Sequence, residues 1–172
     1  MNGVSMHKWW LLLALVALPA FGAAPNFSLK DLSGKSHNVN EYIGKGKWTV
    51  VTVWSHNCPI CRAEMYHMVF FHDEHKNKDA TVLGVSIDGW TDRRNAQQFV
   101  DDQAASFPNL IGDVDDVEQF GAGPLVGTPT YYVFDPKGKL AAKKVGAATQ
   151  QQFEEFIARH PQGAPAQPGR LE

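Results

Sequence analysis

Trp54-Ser55-His56-Asn57-Cys58-Pro59-Ile60-Cys61-Arg62 holds both cysteines of this 172-residue chain, three positions apart, at the end of an apolar and β-branched run that begins at Trp48. The run reads as a strand and the segment after it as a helix. Residues i and i+3 on a first helical turn share a face, with Cα atoms near the roughly 5.5 Å that a disulfide prefers. The two thiols can therefore open and close a bond repeatedly. Pro59 suits the first helical position, where its missing N–H costs nothing, and this puts Cys58 at the helix N-terminus. Free amides and the helix dipole stabilise a thiolate there and lower its pKa from the ordinary ~8.5. Cys61, one turn in, is expected to be more buried and less acidic. Cys58 is then the nucleophile and Cys61 the resolving thiol. A static staple is the alternative, although so short a loop removes little unfolded-state entropy. Zinc would need two more ligands than a lone C-x-x-C supplies, so no metal and no cofactor is implied.

Lys8 precedes the apolar stretch Trp9 to Leu18, after which come Pro19 and the small residues Ala20, Gly22, Ala23 and Ala24. This is the plan of a signal peptide over residues 1–24, cleaved after Gly22 or Ala24. An uncleaved anchor is the alternative, yet the run from Trp9 through Ala24 falls short of the ~20 residues that span a bilayer. An exported chain enters a periplasmic or other extracytoplasmic compartment where disulfides persist, either soluble or tethered by this segment. The net charge of −2 suggests neither nucleic acid nor an anionic membrane surface as a partner.

Residues 25–160 read as one domain of α/β class. Phe27 to Val39, turning at Asp31-Leu32-Ser33-Gly34, forms an N-terminal β-hairpin. Trp48 to Trp54 is a central strand buried on both faces, and the helix opened by Pro59 runs to about His75. Thr81 to Ile87 is a second buried strand and Thr91 to Ala105 a second helix. Asp113 caps a short helix closed by Gly121. Thr130 to Phe134 and Leu140 to Val145 form an antiparallel hairpin around Asp135-Pro136-Lys137-Gly138. Thr149 with Gln152 is a capping box for a last helix with a stripe of Phe153, Phe156 and Ile157. Residues 161–172, rich in Pro, Gly, Ala and Gln, read as a disordered tail. The order implies a mixed central sheet with helices on both faces.

Trp54 before Cys58-Pro59-Ile60-Cys61, then Arg62-Ala63-Glu64-Met65, the strand Val82 to Asp88, and Gly127-Thr128-Pro129-Thr130 leading into Tyr131 to Lys139 together resemble the thioredoxin-like superfamily. More closely, residues 26–160 are similar to exported disulfide reductases of the TlpA/ResA/CcmG type. The resemblance implies a cis peptide before Pro129, beside the dithiol. It also implies that Thr128 offers its backbone to an extended substrate chain, with Trp54, Pro59 and Ile60 on the substrate side. Asn57 replaces the Trp that thioredoxins carry before the first cysteine, Thr52 their buried Asp, and Tyr66 the proline that kinks their first helix.

On this reading Cys58 attacks a protein disulfide, and Cys61 must lose a proton to resolve the mixed disulfide. Glu64, Asp88 and His56 are the candidate acceptors. Ile60 cannot hydrogen-bond a thiolate, which favours the reducing side. A reductant in an oxidising compartment needs electrons, so the resemblance implies a membrane-bound thiol donor and clients such as apocytochrome c in cytochrome c maturation. Two other readings compete. Cys61, Met65, Met68, His72 and His75 recur at helical spacing with copper-ligand chemistry, as in a metallochaperone. Ser55, three before Cys58, matches a peroxiredoxin-like peroxidase, but Val51 stands where those enzymes carry a Pro, and no Arg lies between Arg94 and Arg159.

Overall fold

The computed structural model describes residues 24–161, 163–164 and 169–170. In chain order the elements are β1 (Ser28–Asp31), β2 (Ser36–Asn38), β3 (Trp48–Trp54), α1 (Pro59–His75), β4 (Ala80–Ser86), α2 (Arg93–Asp102), β5 (Asn109–Ile111), α3 (Val114–Glu118), β6 (Thr130–Phe134), β7 (Leu140–Val145), α4 (Gln150–Arg159) and β8 (Gly169–Arg170). One sheet contains every strand, in the order β2-β1-β5-β4-β3-β6-β7-β8. β3, β4 and β5 run parallel, while β6 lies antiparallel to β3 and β7 antiparallel to β6.

All seven residues of β3 are buried, as its uninterrupted apolar character demands of a strand covered on both faces. Because side chains alternate along a strand, Trp48, Val50 and Trp54 join one core layer, and Val51 and Val53 the other. The first layer is closed by Met65, Met68 and Phe71 of α1, Ala96 and Phe99 of α2, and Phe153 and Phe156 of α4. The second is closed by Val117 of α3 together with Val39, Ile43 and Phe120. The expected mixed sheet with helices on both faces is therefore present.

Two elements depart from expectation. β5 has no counterpart among the expected strands, because three residues behind Pro108 are too short to show a period, yet it inserts between β1 and β4 and joins the hairpin to the parallel strands. The second helix is shorter than Thr91 to Ala105: Trp90–Asp92 forms a 3-10 turn, and α2 ends at Asp102. Residues 1–23 of the leader lie outside the described residues, and among the described ones no helix is long and apolar enough to cross a membrane. Of the tail read as disordered, the described residues make contacts: the Gly163 N–H donates to the His160 carbonyl, the Ala164 N–H donates to the Asp135 carboxylate, and Gly169–Arg170 pairs with β7.

Candidate active site

The register of three strands assembles the site. Trp54 pairs with Ser86, so the parallel strands β3 and β4 release their chains side by side, at Ser55 and Ile87. Antiparallel β6 begins where β3 ends, with Thr130 opposite Val53, which brings Gly127-Thr128-Pro129 to the same end. Side chains distant in sequence therefore meet beyond the C-terminal ends of the parallel strands, where ligands gather in open α/β sheets.

Cys58 is the N-cap of α1 and Pro59 its first residue, in the order expected. Cys58 and Cys61 are joined in a disulfide with a Cα–Cα distance of 5.2 Å. Cys58 Sγ accepts the Cys61 N–H at 3.0 Å, one of the helix-terminal amides that would stabilise a thiolate. Of the two, Cys58 is the more accessible, 9% exposed against 1% for Cys61. The Thr128–Pro129 peptide is cis. The Thr128 carbonyl oxygen lies 3.4 Å from Cys58 Sγ, and Pro129 is buried beneath it.

Several residues exposed next to the dithiol and the Thr128 loop in sequence are apolar. Ile60, between the cysteines, is 49% exposed and Pro59 is also exposed; Val126, two residues before Thr128, is 73% exposed. Sequence reasoning misses Val126, since a lone valine in a loop carries no signal. Trp54 is not on this surface. It is fully buried, stacked on Phe99 with ring centroids 4.5 Å apart, and its indole N–H donates to Asn109 Oδ1 at 3.2 Å. It forms the floor beneath the turn rather than a contact for substrate.

The candidate proton acceptors separate clearly. Asp88 has a buried carboxylate that receives Ser55 Oγ–H at 2.5 Å, Ser86 Oγ–H at 2.5 Å, the His56 backbone N–H at 3.0 Å and His56 Nδ1 at 2.9 Å. Burial pushes its pKa up, but the hydrogen bonds from Ser55, Ser86 and His56 outweigh that and hold it below the ordinary carboxylate value. Since the carboxylate is ionised, Nδ1 of His56 must carry the proton it shares. Glu64, half-buried on α1 one turn beyond Cys61, stands 3.8 Å from His67 Nε2. Its charge also reaches the buried Tyr131 phenol, whose pKa is raised chiefly by burial and further by Glu64.

The residues of a copper path do not converge on a site. Cys61 is in the disulfide, and Met65 and Met68 pack in the core. His72 is 6% exposed and accepts the Val82 N–H at Nδ1. Both nitrogens of His75 meet carboxylates, Nδ1 that of Asp79 and Nε2 that of Glu154. The Ser55 hydroxyl lies against Asp88 and Asn57, not Cys58, so it does not play the part a peroxidase would give it.

Residues 22–143 match the model of the AhpC/TSA family. The chain is 32% identical over 135 residues to the thiol-disulfide oxidoreductase ResA of Halalkalibacterium halodurans, covering 78% of this chain and 73% of that one. Among solved structures, the thioredoxin domain of a thiol-disulfide oxidoreductase from Bacteroides vulgatus superposes with a TM-score of 0.65 at 27% identity, covering 78% of this chain and 95% of that one. A thioredoxin-family thiol:disulfide interchange protein from Chlorobium tepidum gives 0.67 at 23% identity, over 80% and 94%, a likeness of fold. The chain belongs to the AhpC/TSA family, in which its thioredoxin-like fold and Cys58–Cys61 pair make it a thiol-disulfide oxidoreductase.

Proposed function

We propose that this oxidoreductase works outside the cytoplasm as a reductase of protein disulfides, delivered by its N-terminal segment and recharged by a membrane-bound thiol donor. The observation that carries the reading is the placement of Cys58 at the N-cap of α1, more exposed than Cys61, with the Thr128 carbonyl beside it and Ile60 and Val126 forming an apolar rim. An extended client segment laid along Thr128 would meet backbone rather than side chain, which suits clients of varied sequence. The apolar lead of residues 9–18 supports export. The names of the ResA relatives support the thiol-disulfide chemistry.

The reaction derives from this placement. The Cys58 thiolate attacks one sulfur of a client disulfide; the S–S bond breaks, and the other client sulfur leaves as a thiolate with the bonding pair. Cys61 then gives its proton to Glu64 and attacks Cys58 Sγ. The mixed disulfide breaks, the two client thiolates take up the proton held by Glu64 and one from solvent, and the protein holds the Cys58–Cys61 disulfide until two electrons and two protons from the donor reopen it. Glu64 suits the acceptor role because Asp88 already receives its full complement of donors and is held in its ionised form. Ile60 offers a Cys58 thiolate no hydrogen bond, so the reduced form lacks the stabilisation that makes a strong oxidant.

Trapping tests the proposal. Cys61→Ser expressed in the native compartment should accumulate disulfide-linked to secreted or membrane clients through Cys58. Clients recovered equally on Cys58→Ser, or none on either variant, would reject it.

A further inference from the structure

The turn that presents Cys58 is tied to Asp88, and the tie is chemically specific. The Cys58 N–H donates to the Ser55 carbonyl at 3.1 Å, closing Ser55-His56-Asn57-Cys58 into a turn. Each of the first two residues of that turn is bound to Asp88, Ser55 through its hydroxyl and His56 through both its backbone N–H and its ring. Ser86 completes the carboxylate's shell, and its Oγ in turn accepts the Asp88 N–H. The His56 side chain is one-quarter exposed while its Nδ1 is fixed on Asp88.

This is more than a loop needs merely to close. A hydroxyl and a backbone amide would hold the turn; the ring adds a titratable group whose orientation is fixed two residues before the nucleophile. We propose that His56 sets how much of Cys58 is thiolate, and that Asp88 is the positioning residue that holds the imidazole there. The inference rests on the proposed role of Cys58 as nucleophile.

The coupling is electrostatic. An imidazole protonated at both nitrogens carries a unit charge, and a nearby positive charge stabilises a thiolate over a thiol. The charged groups about the turn are His56, Asp88 from the end of β4 and Glu64 on α1. Arg62 is drawn away, with its guanidinium 3.5 Å from Asp102 and over the Phe99 ring. Within Ser55-His56-Asn57-Cys58, His56 is the residue that can carry a positive charge. Losing Asp88 frees the ring from the turn, and a ring that swings away no longer holds its charge beside Cys58.

The test is the pH profile of iodoacetamide alkylation in the full chain carrying Cys61→Ser, where Cys58 is the only thiol. His56→Gln should slow the reaction about three- to tenfold at the acid end, where a shift of one pKa unit is a tenfold change in thiolate, and converge with the parent where the thiol is fully ionised. His56→Lys should keep the fast acid limb. Asp88→Asn should move the profile in the direction of His56→Gln and add nothing to it in the double variant. Superposed profiles for His56→Gln and the parent would overturn the proposal. So would an Asp88→Asn shift of equal size with and without His56, which would mean that the carboxylate acts by its own charge. The His56 arm stands even where Asp88→Asn fails to fold. Absence of insulin reduction by the chain with both cysteines, with the coupled shift intact, would remove the reductase reading and leave this one; insulin reduction by that chain without the shift would do the reverse.

Discussion

Gly84 is the point where the floor of the site can be overfilled by a single methyl. A Cβ there would stand 1.9 Å from Asn109 Oδ1 and 3.0 Å from Phe107 Cε2. Oδ1 is not free to retreat, because it accepts the Trp54 indole N–H while the same amide donates to the Phe107 carbonyl at 2.9 Å. Moving it orphans a donor on a fully buried tryptophan. Leaving that N–H unpaired costs about 1–3 kcal/mol. Crowding Phe107 adds roughly 1–3 kcal/mol, against which Gly→Ala gains about 0.4–1 kcal/mol from the unfolded state. Gly84→Ala should therefore lose about 2–4 kcal/mol, lowering the urea midpoint by about 1–2 M at the slopes usual for small domains. Asn109→Ala orphans the same indole without the crowding. Since it also vacates the space, the double variant should cost clearly less than the two singles summed. A Gly84→Ala protein within about 0.5 kcal/mol of wild type, the noise of surface changes, or a strictly additive double variant, would refute the account of Trp54 as a pinned floor.

Glu64→Gln should leave the first attack by Cys58 unchanged and slow resolution, so that the mixed disulfide accumulates in a quenched reaction with a protein substrate; an unaltered resolution rate would remove Glu64 from the mechanism. Ile60→Ser and Val126→Ser should each raise KM for insulin reduction severalfold while leaving reaction with a small disulfide reagent intact, because only a protein client covers the rim. Stability should fall with acid through His72. Burial, with the nearby Lys76 charge, holds its pKa below 6.5. The stability it carries is thus complete above 6.5 and is lost as the pH falls through the folded value. His72→Gln, whose carbonyl can accept the Val82 N–H, should flatten that part of the urea midpoint against pH; an unchanged slope would show that other groups set it.

What was legible in the sequence was local. Cys58 followed by Pro59 marks a helix start on any backbone, and α1 runs from Pro59 to His75 as its pattern implied. The seven apolar residues of β3 carry their burial in their composition. Gly127-Thr128-Pro129 is placed beside the dithiol only by resemblance. What was not legible depends on register. Ser55, Ser86 and Asp88 share a carboxylate because β3 and β4 run parallel with Trp54 opposite Ser86, a pairing no local window contains. For the same reason the sequence offers Asp88 as a candidate acceptor without revealing the hydrogen bonds its carboxylate receives from Ser55, Ser86 and His56. β5 is too short to show a period, and the burial of Trp54 depends on the Asn109 that β5 brings beneath it. His72, followed in sequence by Asp73 and Glu74, is drawn inward by the Val82 amide of the neighbouring strand.

Equilibration of the Cys58–Cys61 pair with defined glutathione buffers, read by alkylation and mass, tests the reductase role most directly. With Ile60 offering no hydrogen bond to the thiolate, the potential should lie well below the about −120 mV of a strong dithiol oxidant and toward the about −270 mV of thioredoxin. Ile60→His should raise it. A wild-type potential near the oxidising value would contradict the reductase role and make the protein a disulfide donor instead.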